Sequence, residues 1–297
     1  MFFFLPVGVD YRTDRFPVVT FSLIGINTAV FLISVIALLT GGRESALWIM
    51  ENFWLIPSQS GWPAYFTTLF VHAGLFHLLG NMIYLFLFGA AVEDKIGRGQ
   101  FVIFYLLSGL AADLAHIIAT PGHFASVLPL GGASGAISGC IGGFVLLFRD
   151  SKINFRYFIW FLRLWSGDFW LPAWLVISFW FASDFLSAAL SYLNEDAAGV
   201  AFAAHVGGFL CGFTTIAGYK LWRRWNEAEE KKAQVIGSSR LQTQRLEPTP
   251  MYLFDSGAQI GPVTRAQISE MLAISSITAD ALYWHEAKQE WRSVAEL

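Results

Sequence analysis

The sequence has little charge, little cysteine and no excess of basic residues. Only 14% of its 297 residues are charged, whereas 55% are hydrophobic, a balance outside that of soluble domains. The net charge of -3 argues against nucleic acid as a partner. The two cysteines, Cys140 and Cys211, lie in apolar stretches, so neither a disulfide framework nor a metal cluster is indicated. The composition predicts a protein whose main partner is the lipid bilayer.

Six apolar segments approach the roughly 20 residues that a membrane-spanning helix needs. They run from Thr20 to Leu39, Phe76 to Val92, Phe101 to Ala119, Ala133 to Phe148, Leu171 to Leu193 and Gly199 to Trp222. The second and fourth are short and rich in glycine, which is tolerated where protein rather than lipid surrounds a helix. The sequence therefore predicts an all-α polytopic membrane protein with six transmembrane helices.

Basic residues are concentrated on one side of the predicted bundle. They precede the first segment or follow the second, fourth and sixth segments, as Arg12, Arg15, Lys95, Arg98, Arg149, Lys152, Arg156, Arg163, Lys220, Arg223 and Arg224. The other connections carry Arg43 as their one basic residue, with acidic Glu195 and Asp196 before the last segment. By the positive-inside rule, both termini are predicted to be cytoplasmic.

The chain is predicted to have three parts. Residues 1–225 form the six-helix membrane domain, and residues 226–250 are polar and charged enough for a cytoplasmic linker. Residues 251–297 resemble a small α+β unit, in which Trp284 and Trp291 are predicted to close a small core.

Polar side chains interrupt three of the apolar segments, and polar groups inside a membrane are costly enough to indicate function. They are His77 and Asn81 in the second segment, Ser134 in the fourth and His205 in the sixth. In the predicted topology these three helices run in the same direction, and each carries its polar residue near its start. We therefore expect the four side chains at a similar depth, toward the outer face.

Ser134 lies within the segment 131–136, Gly-Gly-Ala-Ser-Gly-Ala. Glycine lets a reacting group approach closely, and free N–H groups at a helix start can stabilise an oxyanion. An alternative stays open, because Gly135, Gly139 and Gly143 recur every four residues, as close helix packing alone would require.

His205 is followed by Gly208 and Gly212, which create a smooth helix face. We expect the glycine-rich fourth helix to pack on this face and to bring Ser134 to His205. An imidazole at hydrogen-bonding distance would activate the hydroxyl as a general base. The alternative is a hydrogen bond between helices without chemistry.

His77 and Asn81 are four residues apart and so share one helix face. Both side chains offer N–H donors, which an oxyanion hole needs, although they could equally bond to another helix. Two acidic residues, Asp113 and Asp184, also lie in apolar segments. Nothing in the sequence fixes either of them beside the histidine of the sixth helix, and Asp184 is therefore predicted to be a gate or packing residue.

Three motifs in this order resemble the rhomboid intramembrane proteases: His77-x-x-x-Asn81, Gly132-Ala133-Ser134-Gly135 and Ala204-His205-x-x-Gly208-x-x-x-Gly212. A fourth, Glu93-x-x-x-Gly97-x-Gly99, is similar to a turn of that family, and the resemblance covers roughly residues 15–225. It implies a bacterial inner-membrane serine endopeptidase that cuts transmembrane segments of protein substrates near their outer end. It also implies that no metal or organic cofactor is required.

The resemblance assigns roles to individual residues. It implies a catalytic dyad of Ser134 and His205, which is chemically acceptable without an aspartate because the third member mainly orients the histidine. It further implies that His77, Asn81 and the backbone N–H of Ser134 stabilise the oxyanion. Gly132, Gly135, Gly208 and Gly212 provide helix packing at the site, and His72 has a structural role.

One departure from the family pattern limits the resemblance. Many bacterial rhomboids have Trp-Arg in the first loop, where this chain has Trp62-Pro63, which puts interactions of that arginine in doubt.

The tail resembles GYF-type domains through Gly261-Pro262 and Trp291, and this implies a protein partner. The alternatives are a non-proteolytic rhomboid-like protein that binds membrane segments and, disfavoured by few and lopsided charges, a transporter or channel.

Overall fold

A computed structural model describes residues 2–119, 129–161, 163–194, 202–246, 251–285 and 289–297. The start of the predicted sixth span at Gly199, and the acidic residues Glu195 and Asp196, lie outside these ranges. The chain divides into two compact units, Met1–Trp222 and Arg223–Leu297, and each is described by itself.

The first unit is mainly helical. Its elements are β1 (Phe2–Val9), α1 (Val18–Phe53), α2 (Ala64–Thr67), α3 (Leu75–Tyr84), α4 (Ala90–Ile96), α5 (Arg98–Ala119), α6 (Ser134–Leu147), β2 (Lys152–Phe161), β3 (Arg163–Pro172), α7 (Ala173–Asn194) and the first part of α8 (Phe202–Leu246). A 3-10 turn, Thr68–Phe70, follows α2, and a π-helical turn, Leu85–Gly89, joins α3 to α4.

Four helical segments are long and apolar enough to cross a membrane: Val18–Phe53, Leu75–Ile96, Arg98–Ala119 and Ala173–Leu190. The predicted fourth span is the shorter apolar helix α6, of 14 residues, and the predicted sixth span forms the beginning of α8. The helical membrane bundle is thus confirmed, while four of its six predicted spans satisfy this length and composition criterion in the described residues.

Helix α1 extends beyond the predicted first span. At Gly42 the backbone turns to φ 61° and ψ -145°, which separates two helical segments. A positive φ costs glycine little because it has no Cβ. Residues 43–53 are therefore helical, although the predicted first span ended at Leu39.

An antiparallel sheet of order β1-β2-β3 was not predicted; it joins the N-terminal strand β1 to β2 and β3, which lie between α6 and α7 in the chain. Phe4 pairs with Tyr157 and Phe155 pairs with Phe169. Aromatic side chains favour strands, but in so apolar a sequence their alternation gave no clear signal. Phe155 and the neighbouring Ile153 are buried in the core shared with the helices, so the sheet is part of the membrane unit.

Glu93, the acidic residue of the fourth motif, closes the start of α1. Its carboxylate accepts hydrogen bonds from the backbone N–H of Val19 (3.0 Å), the backbone N–H of Thr20 (2.7 Å) and the Thr20 hydroxyl (2.8 Å). Pro17, which precedes the helix, offers no side-chain cap. Because the first N–H groups of a helix have no partner within it, this buried carboxylate supplies the missing acceptor.

The adjacent Asp94 fixes the segment that leads into α1. It accepts hydrogen bonds from the backbone N–H groups of Asp14 (3.2 Å) and Arg15 (3.1 Å) and from the hydroxyl of Tyr11. Burial and the nearby Asp94 carboxylate raise the pKa of Tyr11. The phenol therefore stays protonated and keeps its hydrogen for this bond.

Helices α6 and α8 approach each other through glycine. A Cβ placed on Gly208 would lie 2.0 Å from the carbonyl oxygen of Gly135, and one on Gly212 would lie 2.0 Å from that of Gly139. Such distances are sterically impossible, so the two backbones touch directly only because these residues lack a side chain. The C-terminal end of α6 is also joined to α8, because Lys220 Nζ donates to the Leu146 carbonyl (2.9 Å).

The second unit begins with the polar remainder of α8. Helix continues to Leu246 through most of the segment predicted as a linker, and the pair Arg223–Glu227 (3.1 Å, i,i+4) supports it. The following elements are β4 (Met251–Asp255), β5 (Ala258–Val263), α9 (Arg265–Ala273), β6 (Leu282–His285) and β7 (Glu290–Ser293), with sheet order β5-β4-β6-β7.

The core of this small sheet differs from the one predicted. Its buried residues are Leu253, Ile268, Ile277, Ala281, Tyr283 and Val294. The prediction that tryptophans close it was wrong, because Trp291 is 42% exposed and packs edge-to-face on Trp284 at 5.5 Å. Phe254 adds a third ring, 6.2 Å from Trp291, so the tryptophans form a surface cluster and smaller aliphatic residues fill the interior.

We predict that Glu93→Gln destabilises the membrane unit by about 2 kcal/mol, because a charged acceptor is lost while buried donors remain. Thermal unfolding of the purified chain in detergent measures this change. Glu51→Gln is the matched control, since Glu51 is exposed. Equal melting temperatures for the two variants would contradict the capping role.

We predict that Gly208→Ala and Gly212→Ala each cost about 2 kcal/mol or more, because the added methyl group forces α6 and α8 apart. Gly218→Ala in the same helix is the control, since nothing lies within 4 Å of the position of its Cβ. Thermal unfolding of the three variants should therefore separate Gly218→Ala from the other two. A common melting temperature would show that the close approach is not required.

Candidate active site

The segment that leads into α6 is held in an extended form by two neighbours. Leu55 and Leu130 exchange backbone hydrogen bonds of 3.0 and 2.8 Å. The Thr68 hydroxyl donates to the Leu130 carbonyl at 2.6 Å, and the Gly132 N–H donates to the Thr68 carbonyl at 2.9 Å. The backbone just before Ser134 is thus fixed by the first loop.

Ser134 is the first residue of α6. The N–H of Ile137 makes the first helical bond, 3.0 Å to the Ala133 carbonyl. The N–H groups that precede it have no acceptor within the helix. The side chain of Ser134 therefore stands beside backbone donors that have no acceptor in their own helix, and such donors can stabilise a developing oxyanion.

His77 and Asn81 lie against Gly132. A Cβ on Gly132 would be 2.9 Å from Nε2 of His77 and 3.6 Å from Nδ2 of Asn81, and its backbone has φ +131°. Any side chain at this position would strain the backbone and displace the His77 ring. The Asn81 amide is buried, and its Nδ2 has no hydrogen-bond partner among the described residues, so a donor is available toward the space next to Ser134.

One cavity of about 550 Å³ brings the four predicted polar residues together. Ser134, His205, His77 and Asn81 all line it. The contact of Gly208 with Gly135 explains this arrangement, because His205 precedes Gly208 by about one turn and Ser134 directly precedes Gly135. The remaining lining residues are Trp54, Ala73, Phe76, Gly80, Tyr84, Pro129, Leu130, Gly131, Ile137, Ser138, Ile141 and Trp180.

Asp184 makes a contact that the sequence did not predict. Its Oδ2 lies 2.7 Å from Nδ1 of His205, although no acidic residue was expected beside the histidine. Asp184 is on α7 and is 7% exposed. Trp180, one turn earlier, packs on the same imidazole with ring centroids 5.8 Å apart. A carboxylate in an otherwise uncharged span was the available signal, but the sequence could not identify its partner.

The other carboxylate considered, Asp113 on α5, is also buried. Its Oδ2 has no hydrogen-bond partner in the described part of the chain. Asp113 thus differs from Asp184, whose carboxylate has a partner in the cavity wall.

Two residues of the first loop complete the surroundings. His72 is buried, with its ring 5.2 Å from that of His77. Burial and then the nearby His77 lower the pKa of His72 to about 4, so this ring is neutral at physiological pH. Trp62, which precedes the unusual Pro63, is 75% exposed and contacts Phe66.

Comparison with known proteins gives a consistent result. The sequence model of the Rhomboid domain matches residues 59–223, and that of GYF domain 2 matches residues 252–297. Rhomboid protease GluP of Bacillus subtilis strain 168 is 33% identical over 98 residues, which are 33% of this chain and 18% of GluP. YdcA of the same strain is 30% identical over 154 residues, 48% of this chain and 73% of YdcA.

A eukaryotic relative extends the match along the chain. Rhomboid protein 1, mitochondrial, of Saccharomyces cerevisiae is 26% identical over 227 residues, 73% of this chain and 57% of the yeast protein. The matches with GluP and with the yeast protein thus cover less than two thirds of those relatives. The Rhomboid domain match, however, covers more than half of this chain and includes every residue of the cavity described above from Ala73 to His205. The chain is therefore an integral membrane protein of the rhomboid family, with a GYF domain in its C-terminal part.

Proposed function

We propose that the chain is an intramembrane serine endopeptidase in which Ser134 is the nucleophile and His205 its general base. The observation that carries the proposal is that both residues line one cavity with two further N–H donors, His77 and Asn81. Membership of a family whose named relatives include proteases supports the same reaction class.

The reaction follows from the chemistry of these side chains. The Ser134 hydroxyl attacks the carbonyl carbon of a peptide bond while His205 takes its proton. The proton then passes to the nitrogen of the scissile bond, and the tetrahedral intermediate collapses with cleavage of the C–N bond, releasing the amine and leaving Ser134 acylated. A water molecule, deprotonated by the same imidazole, hydrolyses that ester and regenerates the serine.

The negative oxygen of the tetrahedral intermediate needs donors aimed at it. Asn81 offers a buried, unused Nδ2, and the start of α6 offers the backbone N–H of Ser134. His77 adds a ring N–H on the same side of the cavity. The Asn81 amide is already buried before substrate binds, so this donor needs little reorganisation when charge develops.

The substrate class follows from the location of the site. Substrates are proposed to be transmembrane segments of membrane proteins. The cut is proposed near their outer end, because cytoplasmic termini, which the basic residues favour, imply that α6 begins toward the outer face. Such a segment must unwind before its carbonyl reaches Ser134, so glycine, proline or small polar residues near the cut should favour cleavage. The proposed membrane is the bacterial inner membrane.

The C-terminal domain is proposed to bind a protein partner. The cluster of Phe254, Trp284 and Trp291 supports this role, because Phe254 and Trp291 are exposed and exposed aromatic rings are typical of protein interfaces. This contact would recruit or retain a partner without taking part in hydrolysis.

We predict that Ser134→Ala and His205→Ala each reduce cleavage of a model transmembrane substrate by at least about 10³-fold. Both should also lose covalent labelling by a fluorophosphonate, which reacts only with an activated serine. Ser34→Ala is the control, since Ser34 lies in α1 and bonds to the Val30 carbonyl.

Retained cleavage in purified Ser134→Ala would refute the protease proposal. Absence of cleavage and labelling in the wild-type chain, with retained binding of the transmembrane segment, would favour the non-proteolytic binder instead.

We predict that Asn81→Ala lowers kcat by about 10² to 10³-fold with little change in KM, because the donor acts mainly on charge in the transition state. Steady-state kinetics with the same substrate measure both constants. Asn52→Ala is the matched control, because Asn52 is exposed and bonds within its own helix. A change confined to KM would assign Asn81 to substrate binding.

A further inference from the structure

We propose that Asp184 is the positioning residue of His205, so that the site works as Ser134–His205–Asp184 rather than as a dyad. This inference rests on the proposed function, since it concerns the base of that reaction. Its foundation is the 2.7 Å contact between Asp184 Oδ2 and His205 Nδ1.

The contact determines which ring nitrogen can act as the base. A carboxylate only accepts hydrogen bonds, so Nδ1 of His205 must carry the hydrogen that joins them. In the neutral ring the lone pair is then on Nε2, the nitrogen available to a serine hydroxyl. Asp184 thereby selects the tautomer that proton abstraction requires, and its negative charge stabilises the imidazolium that forms.

Two contacts from one helix fix the orientation of the imidazole. Trp180 and Asp184 are four residues apart on α7 and so share a face. The rings of Trp180 and His205 pack with their centroids 5.8 Å apart, while Asp184 is hydrogen-bonded to Nδ1 of the imidazole. Their side chains leave the imidazole little freedom to rotate away from the cavity that Ser134 also lines.

The environment of Asp184 argues against a role in packing alone. Only 17% of the residues in the apolar part of α7 are buried. Asp184 is one of them, with 7% of its surface exposed. A leucine would fill that volume without the cost of burying a carboxylate in a membrane helix. An acidic residue is explained if its hydrogen bond to His205 is needed.

The decisive experiment compares four variants of the full chain in detergent, with a transmembrane substrate and a fluorophosphonate probe. Asp184→Asn should lower kcat and the labelling rate by about 10²-fold or more with KM nearly unchanged. Asp184→Leu should lose at least as much, whereas Asp184→Glu should recover at least about tenfold over Asn. Asp113→Asn is the matched control for loss of a buried membrane carboxylate and should stay within about threefold of wild type.

Kinetics can overturn the inference directly. Wild-type activity in Asp184→Leu would assign Asp184 to packing. An equal loss in Asp184→Asn and Asp113→Asn would assign the effect to general disturbance of the bundle. A rise in KM without a fall in kcat would place Asp184 in substrate binding.

Histidine 15N NMR supplies a readout that does not need a substrate, and it separates this inference from the proposed function. The signals of His205, identified by their loss in His205→Gln, should show hydrogen on Nδ1 and a free Nε2 in wild type. Asp184→Asn should produce a mixture of the two tautomers. A wild-type ring with hydrogen on Nε2 would refute the positioning role, whereas an inactive chain with the expected tautomer would refute only the protease proposal.

Discussion

Direct contact between the backbones of α6 and α8 is the constraint on which the site depends. Gly208 meets the carbonyl of Gly135, and Gly212 meets that of Gly139. Ser134 and His205 are each within about one turn of the first contact, so their separation is set by two rigid helices rather than by flexible side chains. Without a strong hydrophobic force between helices in lipid, close packing of small residues is the means available for such precision.

Two buried polar residues of this bundle, Glu93 and Asn81, use their hydrogen-bonding capacity differently. Glu93 has three hydrogen-bond donors and closes a helix start, so its bonding capacity is used within the resting structure. Asn81 keeps an unused donor at the cavity wall. An unpaired polar group in a membrane interior is expensive. The unused donor of Asn81 differs from the unpaired Oδ2 of Asp113 because Asn81 lines a cavity in which a ligand can meet it. Type and burial alone would not separate the two.

The sequence predicted the features that depend on local pattern. Apolar length gave the helices, and the glycine spacing after His205 indicated the helix that approaches Ser134. Contacts between residues distant in the chain could not be predicted from the sequence. Strand β1 pairs with β2 across about 150 residues, and Asp184 contacts His205 from another helix. The local sequence pattern was also misinterpreted at two helices. Helix resumes after the kink at Gly42, beyond the predicted end of the first span at Leu39. The charged residues after Trp225 indicated a linker, although the Arg223–Glu227 pair supports helix there.

The position of Asp184 on α7 has a mechanical consequence. Only 17% of the residues in the apolar part of α7 are buried. The contacts that fix this helix include those around His205: Trp180 on the imidazole, Asp184 at Nδ1 and Phe181 on Phe209 at 4.3 Å. An outward displacement of α7 would remove the ring contact and the hydrogen bond together. His205 would then lose both its orientation and its fixed tautomer. In the proposed mechanism the orientation of His205 is therefore coupled to the position of α7, and the imidazole keeps the alignment that proton transfer needs only while α7 stays in contact with it.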